Sequence, residues 1–284
     1  MPNMETRYID AHCHVQFEQY DADRAEVIDE MRSQGVAGIV VGCDLDSSQK
    51  AVALAEKHEH LYAAVGLHPN HESSEWYDIS YQRQLAAHPK VVAIGECGLD
   101  YYRLPGDTSV HSAEATKVKQ KTLFKQHLAL AIEFDKPLII HCRPSKGSTD
   151  AYRDLIELLE EERSKDLNTH LNTYQNLRGD IHFFVGGVAE AQALNALGFT
   201  VSFTAVITFM HDYDAVIKTV PLANLLVETD APYVAPAVRR GQRNDPLAVI
   251  DVVSRIARIR EEDPESVRQT LLENTRQLFD LARP

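Results

Sequence analysis

Short apolar runs rich in β-branched residues alternate along this chain with longer stretches in which apolar positions recur at helical spacing. The runs that read as strands are Tyr8 to Val15, Gly38 to Cys43, Leu61 to Leu67, Val91 to Gly98, Leu138 to Arg143, Ile181 to Val185, Thr200 to Thr204 and Leu225 to Thr229. Between them the pattern predicts helices over Asp21 to Gln34, Ser47 to Lys57, Asp78 to Ala87, Glu114 to Phe134, Thr149 to Arg163, Ala189 to Leu197 and His211 to Val220. Pro246 suits the first turn of a further helix, and Pro264 to Leu281 reads as one or two closing helices. Apolar strands separated by amphipathic helices indicate a parallel sheet covered by helices. Eight such βα units close as a TIM (β/α)8 barrel more readily than they spread as an open doubly wound sheet, the competing arrangement.

A length of 284 residues suits one barrel of this kind as a single domain over residues 1–284. No Gly/Ser/Pro-rich linker or internal repeat divides it, and no apolar run is long enough for a membrane span. The polar stretch Ser164 to Gly179 exceeds an ordinary barrel connection and predicts an insertion at about 164–179. Gly186-Gly187 is a lone pair and not a phosphate loop, so no organic cofactor is expected.

Cys13, Cys43, Cys97 and Cys142 each lie in an apolar strand-like run and not in a paired CxxC spacing. Small buried thiols of this kind belong to a reducing compartment. Met1 to Arg7 carries no apolar signal segment, so the expected location is cytoplasmic. The net charge of −13 excludes loose adhesion to nucleic acid driven by phosphate neutralisation. It leaves room for a local cationic site built around bound ions.

The chemistry begins at Asp10-Ala11-His12-Cys13-His14. Side chains two apart on a strand project together, so His12 and His14 can share one divalent cation; two unrelated histidines on a half-buried strand are the bland alternative. Further candidate ligands fall at or near strand ends: Glu96 in the fourth strand, His141 in the fifth, His182 in the sixth and Asp230 just after the eighth. The C-terminal ends of barrel strands are where active sites are built. Four imidazoles and two carboxylates exceed the needs of one tetrahedral ion and suit two ions, with Glu96, central in barrel order, as the bridge. His182 sits early in its predicted strand and has a second reading as a core histidine. Asp230 could instead cap the turn before Pro232, and Glu228 is a reserve ligand or a carboxylate that orients one.

With these segments in view the chain resembles the TatD-family metal-dependent deoxyribonucleases of the amidohydrolase-type barrels. The resemblance rests on Asp10-Ala11-His12-Cys13-His14, Val65-Gly66-Leu67-His68-Pro69, Gly95 through Tyr102, Ile140-His141-Cys142-Arg143, Leu225 through Pro236 and Arg240 through Asn244. It implies that His12, His14, Glu96 and Asp230 hold one ion and that Glu96, His141 and His182 hold the other. It also implies that His68 faces the substrate phosphate, that Mg²⁺ or a similar divalent ion supports activity, and that DNA phosphodiesters are cleaved, commonly by exonuclease action. Imidazole-rich ligation by itself also suits Mn²⁺ or Zn²⁺. The chain departs from the family pattern at His182-Phe183-Phe184-Val185, where a Cys and a Ser-Gly pair are usual, and at Arg143-Pro144-Ser145, where an acidic residue commonly follows the Arg.

The reaction the resemblance implies is cleavage at single-stranded or frayed DNA ends, of the 3′-5′ exonuclease type, by a metal-activated water, and Asp230 is the candidate general base. His68, Arg143, Arg240 and Arg243 are the expected phosphate contacts, with Arg239 beside them; solvated surface charge is the competing reading for Arg239 and Arg240. Tyr101, Tyr102 and Phe209 are candidates for base stacking. Lys117, Lys119, Lys121 and Lys125 read as a solvated helix face. Neither a membrane nor a protein partner is called for. The alternative function is ester or amide hydrolysis at the same centre, as in a deacylase of aminoacyl-tRNA; a third is a barrel retained as a non-catalytic interaction module.

Overall fold

The computed structural model describes residues 5–71, 79–104, 112–169 and 176–281. Eight parallel strands pair strictly in chain order: β1 (Tyr8–Cys13), β2 (Val36–Val41), β3 (Leu61–Val65), β4 (Val91–Asp100), β5 (Leu138–Arg143), β6 (Gly179–His182), β7 (Phe199–Phe203) and β8 (Leu225–Val227). The ring closes beyond β8, where the Asp230 N–H donates to the His12 carbonyl (2.9 Å) and the His14 N–H to the Ala231 carbonyl (2.7 Å). This is a TIM barrel. Helices α1 (Arg24–Ser33), α2 (Leu45–Lys57), α3 (Ile79–Ala86), α4 (Ala113–Glu133), α5 (Asp150–Thr169), α6 (Val188–Ala196), α7 (Asp214–Thr219) and α8 (Val249–Arg260) cover it, and α9 (Pro264–Leu278) follows. Pro246 opens a short 3₁₀ turn into α8, as its fixed φ allows.

One apolar layer joins strands to helices through residues such as Val40, Leu61, Ile94, Phe124, Leu128, Leu155, Leu194 and Ile256, all buried. A second cluster combines Ile9, Ile39, Val41, Ile139 and Leu226 with Leu272, Leu278 and Phe279. Helix α2 starts on a reciprocal capping box in which Asp44 accepts from the Ser47 N–H (2.7 Å) and the Ser47 hydroxyl bonds back to the cap. Among the described residues no helix is long and apolar enough to cross a membrane.

Most strand and helix ends shift by about two residues from the sequence expectation, and three differences matter more. β6 runs over Gly179–His182 in place of Ile181 to Val185, because Gly179 and Asp180, polar and unpromising, pair with Leu138 and Ile139 on one side and Phe199 and Thr200 on the other. His182 therefore ends its strand instead of starting it. The helix expected from His211 is shorter, beginning at Asp214 after a 3₁₀ turn over Ala205–Thr208. The stretch expected as an insertion is partly helical, since α5 continues to Thr169; residues 170–175 lie outside the described residues.

Candidate active site

Two strands carry an extra residue where they present candidate ligands. β1 advances from Asp10 to Cys13 while β2 advances from Gly38 to Val40, and β4 advances from Ile94 to Cys97 while β5 advances from Leu138 to Ile140. Bulges re-aim side chains, and these two contain His12 and Glu96. Backbones approach closely beside them. A Cβ on Gly66 would lie 2.6 Å from the Gly95 carbonyl carbon, and one on Gly98, at φ +136°, would lie 2.0 Å from the His141 oxygen, so only glycine fits either place.

The side chains gathered there line a cavity of about 400 Å³ with His14, His68, Glu96, His141, His182 and Asp230 in its wall. Glu96 is central. Its Oε1 lies 2.9 Å from His141 Nδ1, 3.0 Å from His182 Nε2 and 3.5 Å from His68 Nε2. Its Oε2 faces His12 Nε2 at 3.7 Å. The Nε2 atoms of His12 and His14 are 3.1 Å apart, and Asp230 Oδ1 lies 3.4 Å from the latter and 3.9 Å from the former. Asp230 itself has left-handed backbone, φ 53°, a conformation that Asp tolerates better than most residues.

Most of these imidazoles have their far nitrogen occupied. His14 Nδ1 donates to the Val41 carbonyl (2.8 Å), His141 Nε2 to Asp100 Oδ2 (3.1 Å) and His182 Nδ1 to Glu228 Oε1 (3.1 Å). Such acceptors fix the tautomer and leave the other nitrogen's lone pair for a cation. The exception is His12, whose buried Nδ1 has no hydrogen-bond partner. His12 is instead held by stacking on His182, with ring centroids 3.9 Å apart. The donor set fits divalent metal ions: three imidazole nitrogens, of His68, His141 and His182, converge on one carboxylate oxygen, and a shared positive charge is what such a set of lone pairs binds. Among the described residues four groups bring three ligand atoms within 4.8 Å of one another, close enough to share an ion: His12, His14 and Glu96; Glu96, His141 and His182; His12, His182 and Glu228; and His68, Asp100 and His141.

The electrostatics agree with this crowding. Burial alone would raise the Glu96 carboxyl, but the His68 and His182 imidazoles beside it, and hydrogen bonds from His141 and His182, hold it well below the usual range. Burial also works against charge on His182, yet the Glu228 and Glu96 carboxylates overcome it and raise the imidazole well above its ordinary value. His141 is raised in the same way by Asp100 and Glu96, against burial. His12, buried and close to His182, is pushed well down, and burial takes His68 down to about 4.

The other expected substrate contacts divide. Arg143 lines the cavity, its guanidinium 4.0 Å over the exposed Tyr102 ring. Arg240 stacks 4.0 Å over Phe209, and Arg243 pairs with Asp23 (2.6 Å), donates to the Gln19 carbonyl (2.6 Å) and covers Tyr20; neither is in the cavity wall. Arg239 pairs with Asp245. Tyr101, expected as a stacking platform, is buried and its hydroxyl donates to Asp154 (2.9 Å), because the strand continues through Asp100 and turns that ring onto α5. Lys117, Lys121 and Lys125 pair with Asp150, Asp154 and Glu161 between α4 and α5.

Sequence reasoning did not find Asp100, Cys43 or the aromatic residues of the wall. Cys43 lines the cavity with its Sγ 3.4 Å from Glu96 Oε2, while Cys13 and Cys97 face backbone carbonyls elsewhere. Asp100 could have been noticed from its place in Gly98-Leu99-Asp100, in line with Glu96 on the same strand. Asp10, inside the leading motif, binds no ion position: it accepts from the backbone and hydroxyl of Thr229 (2.9 and 2.5 Å) and ties the first strand to the last.

A barrel whose strand ends gather imidazoles around one carboxylate defines a metal-dependent hydrolase. The family model described as TatD related DNase matches residues 9–280, and the chain belongs to that family. It is 35% identical over 274 residues to the Bacillus subtilis protein named uncharacterized metal-dependent hydrolase YabD, covering 95% of this chain and 98% of that one. It is 34% identical to the Yersinia pseudotuberculosis protein named 3′-5′ ssDNA/RNA exonuclease TatD, over 93% of this chain and 95% of that one. The crystal structure of YJJV, a TatD homolog from Escherichia coli K12, superimposes with a TM-score of 0.82 at 30% identity, covering 98% of this chain and 100% of the other.

Proposed function

We propose that this chain, as one hydrolase barrel, removes nucleotides from the 3′ ends of single-stranded or frayed DNA with two divalent cations. The observation that carries this reading is the gathering of His14, Glu96, His141, His182 and Asp230 in the wall of one cavity, with His12 buried directly behind Glu96 and Asp230, in a member of the TatD-related DNase family. His12, His14, Glu96 and Asp230 would hold one ion and Glu96, His141 and His182 the other, with Mg²⁺ as the working metal and Mn²⁺ or Zn²⁺ as further occupants. When bound, such a pair supplies an acidified water and neutralises charge building on the phosphoryl group.

The chain's own groups do the rest. Asp230 borders the cavity and takes the proton of the attacking water on a carboxylate oxygen. His68 and Arg143 bind the non-bridging phosphate oxygens from the same wall, while Arg240 and Arg243, in the loop after β8, meet strand further from the scissile bond. A cavity of about 400 Å³ admits a ligand of nucleotide size and excludes a duplex, which favours single strands and ends. The Arg143 guanidinium in its wall favours phosphate over the neutral acyl group of an ester or amide substrate. Four free cysteines suit a reducing compartment, and we place the enzyme in the cytoplasm.

The test is single-stranded DNA labelled at either end, incubated with chelated and then Mg²⁺- or Mn²⁺-restored protein. A ladder shortening from the 3′ end only after restoration supports the reading. Inert DNA beside metal-dependent hydrolysis of an aminoacyl ester refutes it.

A further inference from the structure

Phe17, Phe183 and Tyr233 line the cavity beside the histidines. Phe17 is committed, its ring lying flat on His14 with centroids 4.5 Å apart and 6° between planes. Phe183 is different. It follows His182, meets that ring edge-on at 6.2 Å, and has left-handed backbone at φ 47°. That conformation is uncommon for a bulky residue and persists only where the surroundings hold it. Here Glu228 holds it: the Phe183 N–H donates to Glu228 Oε1 at 2.7 Å, the same oxygen that takes His182 Nδ1. Glu228 is fully buried, and its Oε2 accepts from the Ser202 hydroxyl at 2.8 Å. One carboxylate therefore orients a candidate metal ligand and turns the next side chain out of the strand into the cavity wall. Val185, two residues on, adds another apolar group to that wall.

We propose that Phe183 is a specificity-determining residue, the face on which the base of the terminal nucleotide stacks while its phosphate lies at the Glu96 cluster; this rests on the nuclease reading above. An apolar ring offers no donor or acceptor to read a base edge, so it accepts every base and discriminates only for the presence of one. Tyr233, 48% exposed and 6.3 Å from the His14 ring, borders the same space.

The experiment compares the affinity of Mn²⁺-loaded protein for deoxyadenosine 5′-monophosphate and for 2-deoxyribose 5-phosphate by calorimetry. Stacking of one base should give the wild type roughly a tenfold preference for the nucleotide or more. Phe183→Ala and Phe183→Leu, checked for unchanged melting and Mn²⁺ stoichiometry, should bring the ratio near unity and leave sugar-phosphate affinity as it was. Phe183→Tyr should keep the preference. A tenfold ratio surviving in both the Ala and Leu variants overturns the inference. So does an equal loss for both ligands, which would make Phe183 a support for the metal cluster. A wild type that shows the ratio but cleaves no oligonucleotide keeps Phe183 as the base-stacking face and removes the nuclease reading, and with it the assignment of that base to a strand terminus.

Discussion

Glu228 Oε1 sits 3.1 Å from His182 Nδ1, beneath the imidazole whose other nitrogen faces Glu96 at 3.0 Å. The buried carboxylate thus sets the tautomer of a candidate ligand. Glu228→Ala should weaken binding at the His182 ion about 10- to 100-fold, as loss of an orienting partner typically does. Glu228→Gln keeps a carbonyl oxygen for His182 and should recover most of that loss. Metal titration of the two variants checks this; equal loss in both would make Glu228 a direct ligand.

Arg143 and Arg243 should separate in their effects. Arg143→Ala removes a cation from the cavity wall and should raise KM about tenfold or more, with kcat little changed. Arg243 is engaged with Asp23, the Gln19 carbonyl and the Tyr20 ring. Arg243→Ala should cost about 1 kcal/mol of stability, as partly exposed ion pairs and cation–π contacts do, with a smaller rise in KM. Steady-state kinetics and urea melts read the two outcomes.

His127 on α4 is fully buried, donates from Nδ1 to the Leu123 carbonyl (2.9 Å) and accepts the Leu67 N–H at Nε2 (3.0 Å), just before His68. Burial pushes its pKa from 6.5 down to about 4. The unfolded chain takes this proton first as pH falls. The contribution is therefore complete above about 6.5 and is lost progressively toward 4, with roughly 3 kcal/mol as its upper bound. In chelator, wild-type stability should drop more steeply than that of His127→Gln between pH 7 and 4.5. Parallel slopes in urea melts would contradict this.

The barrel was legible because eight apolar runs alternate with helical periodicity, a pattern that survives errors at the ends of elements. The clustering at the site was legible because His12, His14, Glu96, His141 and Asp230 stand at strand ends, and topology alone brings strand ends together. What could not be read is what bends the chain locally. Alternation alone does not show the bulges that contain His12 and Glu96, and Gly179-Asp180 does not look like a strand until both neighbours pair with it. Asp100 and Glu228 act through residues 41 and 46 positions away, so no local spacing marks them. Phe183 enters the cavity wall only because of its left-handed backbone, against the alternation of the strand it follows.

The most direct measurement is electron paramagnetic resonance of protein titrated with Mn²⁺, since the central claim is that Glu96 joins two ions. Binding of two Mn²⁺ per chain with an exchange-coupled signal, absent along with nearly all turnover in Glu96→Ala, is the expected result. Uncoupled signals from two separate ions, or coupling that survives in Glu96→Ala, would contradict it.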